Sequence, residues 1–247
     1  MRIAISGKGG CGKSTITTLL SRAFLHLGFK VTVLDADESN IGLTRMLGLN
    51  DVRSIAEAYG GRRGLKRVLN EGIRSLLNIE IIGASRDDVR VIRIGKIERG
   101  GEGCACPFGV LAKEVLSSIK SSEKEVILVD MDAGIEHFGR GIDQAVDAIL
   151  FVVDPTFDSI MLAERASRMA RDLGVAKFMA VLNKVDEESS SILKGELSKM
   201  GVKIVGRIRY DPEIMRATLL GLPITSSMAM ADAIELAKAI IKELGVA

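Results

Sequence analysis

The sequence predicts an α/β fold built on a doubly wound, mostly parallel sheet flanked by helices on both faces, and three observations carry that expectation. Short β-branched apolar runs alternate with longer segments of helical period along the chain. Most of the short runs are apolar nearly throughout rather than at every second residue, as strands buried on both faces are. Several helical segments stop at a glycine, the residue that accepts the left-handed turn closing a helix.

Strands are expected at residues 2–6 (RIAIS), 30–35 (KVTVLD), 80–83 (EIIG), 125–130 (EVILVD), 148–153 (AILFVV), 178–183 (FMAVLN) and 203–206 (KIVG). Helices are expected at 14–27, 110–121, 159–173, 190–200 and 231–244, four of them followed by Gly28, Gly174, Gly201 and Gly245. Residues 51–74 read as helical but irregular, and 87–107 carry the weakest pattern. Both lie between the second strand and the strand ending at Asp130, where α/β folds insert specialised material. One domain over residues 1–247 is expected, with a specialised insert around 87–107.

Composition narrows the function classes. Hydrophobic residues make up 47% and aromatics 4%, with no Trp, so the core must be built from Ile, Val, Leu, Ala and Met. A formal charge of +2 gives no argument for nucleic acid, and the cluster Arg62, Arg63, Lys66 and Arg67 reads as a solvated helix face. The opening strand runs straight into a glycine-rich loop, unlike a secretory leader. No apolar run approaches the ~20 residues that span a bilayer. Three cysteines, an odd number, fit reduced thiols. The expectation is a cytoplasmic protein with neither membrane nor nucleic acid as partner.

Gly7-Lys8-Gly9-Gly10-Cys11-Gly12-Lys13-Ser14 satisfies G-x-x-x-x-G-K-[ST], with a strand before it and a helix after it. Glycines let successive backbone N–H groups converge on phosphate oxygens. Lys13 is expected on the β- and γ-phosphates and Ser14 on Mg²⁺, with the positive end of the following helix aimed at the anion. The phosphate-binding set is therefore Gly9, Gly10, Cys11, Gly12, Lys13, Ser14 and Thr15, in which Cys11 is a small space-filler at a variable position. Carboxylates at the ends of the second and fourth expected strands, Asp35, Asp37 and Asp130, are placed for Mg²⁺ or for the attacking water. Asp130 closes an apolar strand in the manner of a Walker B aspartate. Gly134 is expected to bring a backbone N–H to the γ-phosphate. His137 reads as a hydrogen-bonded structural residue.

The second lysine, Lys8, makes the loop K-G-G-x-G-K-[ST], which resembles the deviant Walker A sequence of the MinD/ParA-type ATPases. That resemblance implies a P-loop ATPase fold, a role for Lys8 across a subunit interface, and a homodimer that sandwiches nucleotide. It makes Asp37 the residue that orients water, places Asp35 nearer the metal, and names Lys8, Lys13, Asp37 and Asp130 as the catalytic set. Asn183-Lys184-Val185-Asp186 admits two readings. As N-K-x-D it matches a guanine-reading motif, whereas in MinD-like proteins an Asn here contacts adenine, helped by the backbone of a later loop matching residues 209–212. ATP is preferred over GTP on the strength of the deviant loop.

Cys104-Ala105-Cys106, taken alone, is a weak motif that reads either as two ordinary cysteines or as half of a metal site. In extended chain, residues i and i+2 face one side, so two thiolates could bind one soft metal ion. That is half of a four-sulfur shell, which a second copy would complete across a two-fold axis. With residues 8–15, GCACP at 103–107 and AGIEHFGRG at 133–141, the whole chain resembles the CooC/AcsF-type nickel-insertion ATPases; Asp132 departs from an expected Glu. The resemblance implies Ni²⁺ (or Zn²⁺) on Cys104 and Cys106, ATP/ADP and Mg²⁺ as cofactors, a nucleotide- and metal-dependent homodimer, and carbon monoxide dehydrogenase as acceptor. Two alternatives stay open: a MinD/ParA-type spatial switch and a HypB-like nickel GTPase. An iron–sulfur carrier of the Mrp type would use a C-terminal CxxC, which the sequence lacks.

Overall fold

The computed structural model describes residues 1–50, 52–61, 84–86, 88–96, 106–119, 122, 124–135 and 145–246, with only the backbone described at Arg86 and Cys106. The strands are β1 (Arg2–Gly7), β2 (Lys30–Asp35), β3 (Ala84–Arg86), β4 (Val89–Arg93), β5 (Glu125–Asp130), β6 (Ala148–Val153), β7 (Phe178–Val185) and β8 (Lys203–Arg209). The helices are α1 (Lys13–His26), α2 (Leu43–Met46), α3 (Ile55–Ala58), α4 (Cys106–Ser118), α5 (Phe157–Asp172), α6 (Glu187–Lys199), α7 (Pro212–Leu220) and α8 (Ser227–Leu244).

The strands form one sheet in the order β3-β4-β2-β5-β1-β6-β7-β8, parallel except where β3 runs antiparallel to β4. The doubly wound expectation holds. β1 lies between β5 and β6, so the chain leaves it first toward one edge and later returns to fill the other. Ligands of open α/β sheets bind beyond the carboxyl ends of the strands at such a reversal. Three ends meet there: Ile5 and Asp35 each pair in register with Asp130, and Gly7 follows just beyond.

Strand side chains alternate between two cores. Ile3, Ile5, Val31, Val33, Leu128 and Leu150 pack under Leu20 and Phe24 of α1 and Leu236 and Ile240 of α8. Ala4, Leu34, Ile127, Val129 and Phe151 pack with Leu111 and Val115 of α4, Ala166 of α5 and Leu193 of α6. Every one of these strand residues is essentially fully buried, which explains the unbroken apolar runs.

Several boundaries differ from expectation. β3 falls just before the weakly patterned 87–107 region and β4 at its start, whereas the strand expected at 80–83 lies outside the described residues. β8 runs three residues past Gly206. A Cβ at Gly206 would sit 2.8 Å from the Leu236 side chain, so this glycine lets α8 approach the sheet rather than ending the strand. α4 begins at Cys106, four residues early, with Pro107 in its first turn as the proline asymmetry of helices favours. Cys106 is therefore the first helical residue of α4 in its backbone. Cys104 itself, the Arg62–Arg67 cluster and His137 lie outside the described residues. No helix among the described residues is long and apolar enough to cross a membrane.

Candidate nucleotide-binding site

The loop between β1 and α1 is shaped from both ends and held from the side. Cys11 N–H donates to the Lys8 carbonyl at 3.2 Å, and Ile16 N–H to the Gly12 carbonyl at 2.9 Å. Asn183 Nδ2 donates to the Cys11 carbonyl and Lys184 Nζ to the Gly10 carbonyl, both at 2.7 Å. Gly12 has φ 100°, a conformation L side chains rarely adopt, and a Cβ there would lie 2.2 Å from Asn183 Nδ2. Asn183 and Lys184, expected at the base, thus also brace the phosphate loop.

A cavity of about 580 Å³ opens over the loop. Gly9, Gly10, Gly12, Lys13, Ser14 and Thr15 form its floor, and Asp37, Asn183 and Lys184 line it as well. Met46, Ile214, Met215 and Leu219 give one wall an apolar surface that suits a base. Those last three residues belong to α7, which sequence periodicity missed because none of its residues is buried. Its signal was a cap: Asp211 accepts from Glu213 N–H at 2.8 Å, Pro212 opens the helix, and Gly221 closes it.

Asp130 is wholly buried below the loop. Its Oδ2 accepts from Ser14 Oγ at 2.6 Å and its Oδ1 from Thr17 Oγ1 at 3.2 Å. Burial raises its pKa to about 7, with Asp35 and Asp37 adding to the rise, while the Ser14 hydrogen bond and Lys13 oppose it. Thr17 was not anticipated, although it stands one helical turn from Ser14. Asn40 Nδ2 also donates to Ser14 Oγ. The Ser14 hydroxyl and the Asp130 carboxylate are hard oxygen donors of the kind that hold Mg²⁺. A divalent cation there would neutralise phosphate charge and offset the burial of Asp130.

Asp37 turns its Oδ1 onto its own loop, accepting from Ser39 N–H at 2.9 Å, Ser39 Oγ at 2.6 Å and Asn40 N–H at 3.2 Å. Asp35, at the end of β2, is buried and does not line the cavity. Its carboxylate is held by Lys96 Nζ at 2.8 Å and approached by Arg93 Nε at 3.7 Å. Burial raises the Asp35 pKa, and Lys96 is the main opposing influence. Lys96 carried no sequence signal, being one lysine after a strand. Gly134, expected to offer its N–H to the γ-phosphate, donates that N–H to the Gly7 carbonyl at 3.1 Å. Lys8 folds back onto its own chain, 3.3 Å from Thr156 Oγ1 and 3.8 Å from Asp158 Oδ2.

Asp186 bears on the base. It is the N-cap of α6: its Oδ1 accepts from Ser189 N–H at 2.8 Å in a reciprocal capping box, and these bonds with Ser189 lower its pKa. It does not line the cavity. The carboxylate that an N-K-x-D reading needs on a guanine is thus engaged elsewhere.

Similarity to known proteins agrees with this geometry. The family described as ParA, a NUBPL iron-transfer P-loop NTPase, matches residues 1–245. An uncharacterised ATP-binding protein of Methanocaldococcus jannaschii is 38% identical over 251 residues, spanning 96% of this chain and 99% of that protein. The carbon monoxide dehydrogenase accessory protein CooC of Rhodospirillum rubrum is 32% identical over 237 residues, spanning 91% and 90%. The septum site-determining protein MinD of Pyrococcus horikoshii, solved with Mg-ADP, superposes with TM-score 0.75 at 22% identity, covering 99% of this chain and 97% of that one. The chain therefore belongs to the ParA family of P-loop NTPases, as an ATPase of MinD-like fold and a homologue of CooC.

Proposed function

We propose that this ATPase is a CooC-type metallochaperone whose nucleotide-dependent homodimer carries Ni²⁺ between two Cys104/Cys106 pairs and assists its insertion into carbon monoxide dehydrogenase or a related acceptor. The observation that carries the reading is the Cys104-Ala105-Cys106 sequence in a chain 32% identical to CooC over 91% of its length. One chain offers two thiolates, half of a tetrahedral or square-planar shell, and a two-fold axis supplies the rest.

In the ATPase cycle, Lys13 and the loop N–H groups hold the phosphates, and Ser14 and Asp130 hold Mg²⁺. Asp37 orients water in line with the γ-phosphate. Lys8 leaves Thr156 and Asp158 to reach the partner's nucleotide. Gly134 exchanges its Gly7 acceptor for the γ-phosphate, so that the loop after β5 follows hydrolysis. Asn183 and the apolar α7 wall receive adenine.

Metal analysis after equilibrium dialysis against Ni²⁺, with and without nucleotide, tests the cargo. About one Ni²⁺ per dimer is expected, and Cys104→Ala or Cys106→Ala should abolish it while ATP binding persists. Unchanged stoichiometry in both variants would exclude a chaperone site there. The MinD-like fold supports a second reading, a spatial switch without cargo, for which the dimer would form normally and bind no metal.

A further inference from the structure

Lys96 is among the least exposed lysines of the described residues, with 5% of its side chain open to solvent. It stands three residues beyond the end of β4 and bridges the last residue of β2 to the loop that follows it. Its Nζ lies 2.8 Å from Asp35 Oδ1 and also donates to the main-chain carbonyl of Asp37. The backbone that delivers it is fixed on both sides. Ile94 N–H donates to the Asp35 carbonyl at 3.0 Å, and Ala56 N–H to the Ile94 carbonyl at 2.9 Å. A Cβ on Gly95 would fall 2.7 Å from both the Ala56 Cβ and the Phe108 ring, so the chain is packed against α3 and α4 with no room to shift.

A buried ammonium requires opposite charge and acceptors. Asp35 supplies the charge, yet a lysine serving only that ion pair has no need of the Asp37 carbonyl. That second bond pins the residue whose carboxylate, at the cavity rim, is assigned to water. We infer that Lys96 is a positioning residue for ATP hydrolysis, fixing the main chain at Asp37 so that its side chain is held over the phosphate loop before nucleotide arrives. Such preorganisation matters because ångström-scale misplacement of a reacting group costs roughly a hundredfold in rate. The inference takes the role of Asp37 from the proposed ATPase cycle and is independent of nickel.

The test is a mutant cycle with steady-state ATPase kinetics. Lys96→Met should lower kcat by roughly ten- to a hundredfold while KM for ATP stays within about threefold, since Lys13, Ser14 and the loop amides are untouched. In an Asp37→Asn background, Lys96→Met should change kcat less than about twofold, because the residue it positions is already disabled. Pairing it with Asp35→Asn removes the stranded carboxylate; this double variant should recover the thermal midpoint and keep the low kcat, and it serves as the folded background if Lys96→Met alone is unstable. The inference is overturned if the double variant regains kcat together with stability, which is what a purely structural ion pair would do. It is equally overturned if Lys96→Met lowers kcat independently of Asp37. An Asp37→Asn variant with full activity would instead sink the assigned role of Asp37, a separate outcome from either.

Discussion

Asn183, at the far end of β7, donates its side-chain amide to the carbonyl of Cys11 at 2.7 Å, and the same nitrogen occupies the space a side chain on Gly12 would fill. The curvature of the phosphate loop is thus set partly by a strand two places away in the sheet. Truncation in Asn183→Ala strands a buried carbonyl, a loss of about 1–3 kcal/mol. ATP affinity measured by calorimetry should fall roughly five- to a hundredfold, and an unchanged Kd would show that the loop holds its shape unaided.

Lys8 rests on Thr156 and Asp158 through contacts at the surface, where such pairs contribute at most about 1 kcal/mol. It is therefore free to leave. Lys8→Ala should fold and bind ATP normally but stay monomeric with a non-hydrolysable ATP analogue, as read by light scattering. A normal nucleotide-dependent dimer in this variant would contradict the intersubunit role.

Cys11 is wholly buried, and burial is the main cause that raises its thiol pKa from 9.0 to about 11. At pH 8 the native protein should resist iodoacetamide at Cys11, with modification mapped by mass spectrometry and urea-unfolded protein as the reactive control. Below pH 9 the thiol is protonated whether folded or not, and its pKa shift leaves stability unchanged. Between pH 9 and 11 the unfolded chain releases the proton while the folded chain retains it, so this group lowers stability as pH rises. Cys11→Ala should remove that part of the alkaline loss in denaturant titrations.

Asp186 caps α6 and stands outside the cavity. Asp186→Ala should lower the urea midpoint slightly and leave the preference for ATP over GTP intact when the two compete at equal concentration. A preference that moves with Asp186 would revive the guanine reading and, with it, the nickel-GTPase alternative.

What the sequence reveals here follows what sequence patterns encode. β2, β5 and β6 lie where they are expected because both their faces are buried and their runs are unbroken. β8 extends past Gly206, where a glycine reads as a strand end, because Arg207 and Arg209 flank the buried Ile208 and reach Glu187 and Asp232 at the surface. The phosphate loop is legible because its glycines and Lys13 are dictated by local backbone geometry. Lys96, Thr17 and Asn40 are not, since each acquires its partner only when distant strands and loops converge. α7 left no periodic trace, as it buries no side chain and spends its apolar residues on the cavity wall.

The bond from Gly134 N–H to the Gly7 carbonyl has one further consequence. It is an isolated antiparallel bridge between two glycines, each with positive φ, joining the end of β1 to the loop after β5. An amide that already has an acceptor does not have to be stripped of water to find another. Turning it from Gly7 toward a γ-phosphate, as the proposed cycle requires, would trade one hydrogen bond for another, and glycine at both positions would ease the rotation. On the proposed cycle, the charge of the γ-phosphate would then decide between the two acceptors, and its loss would return the amide to Gly7.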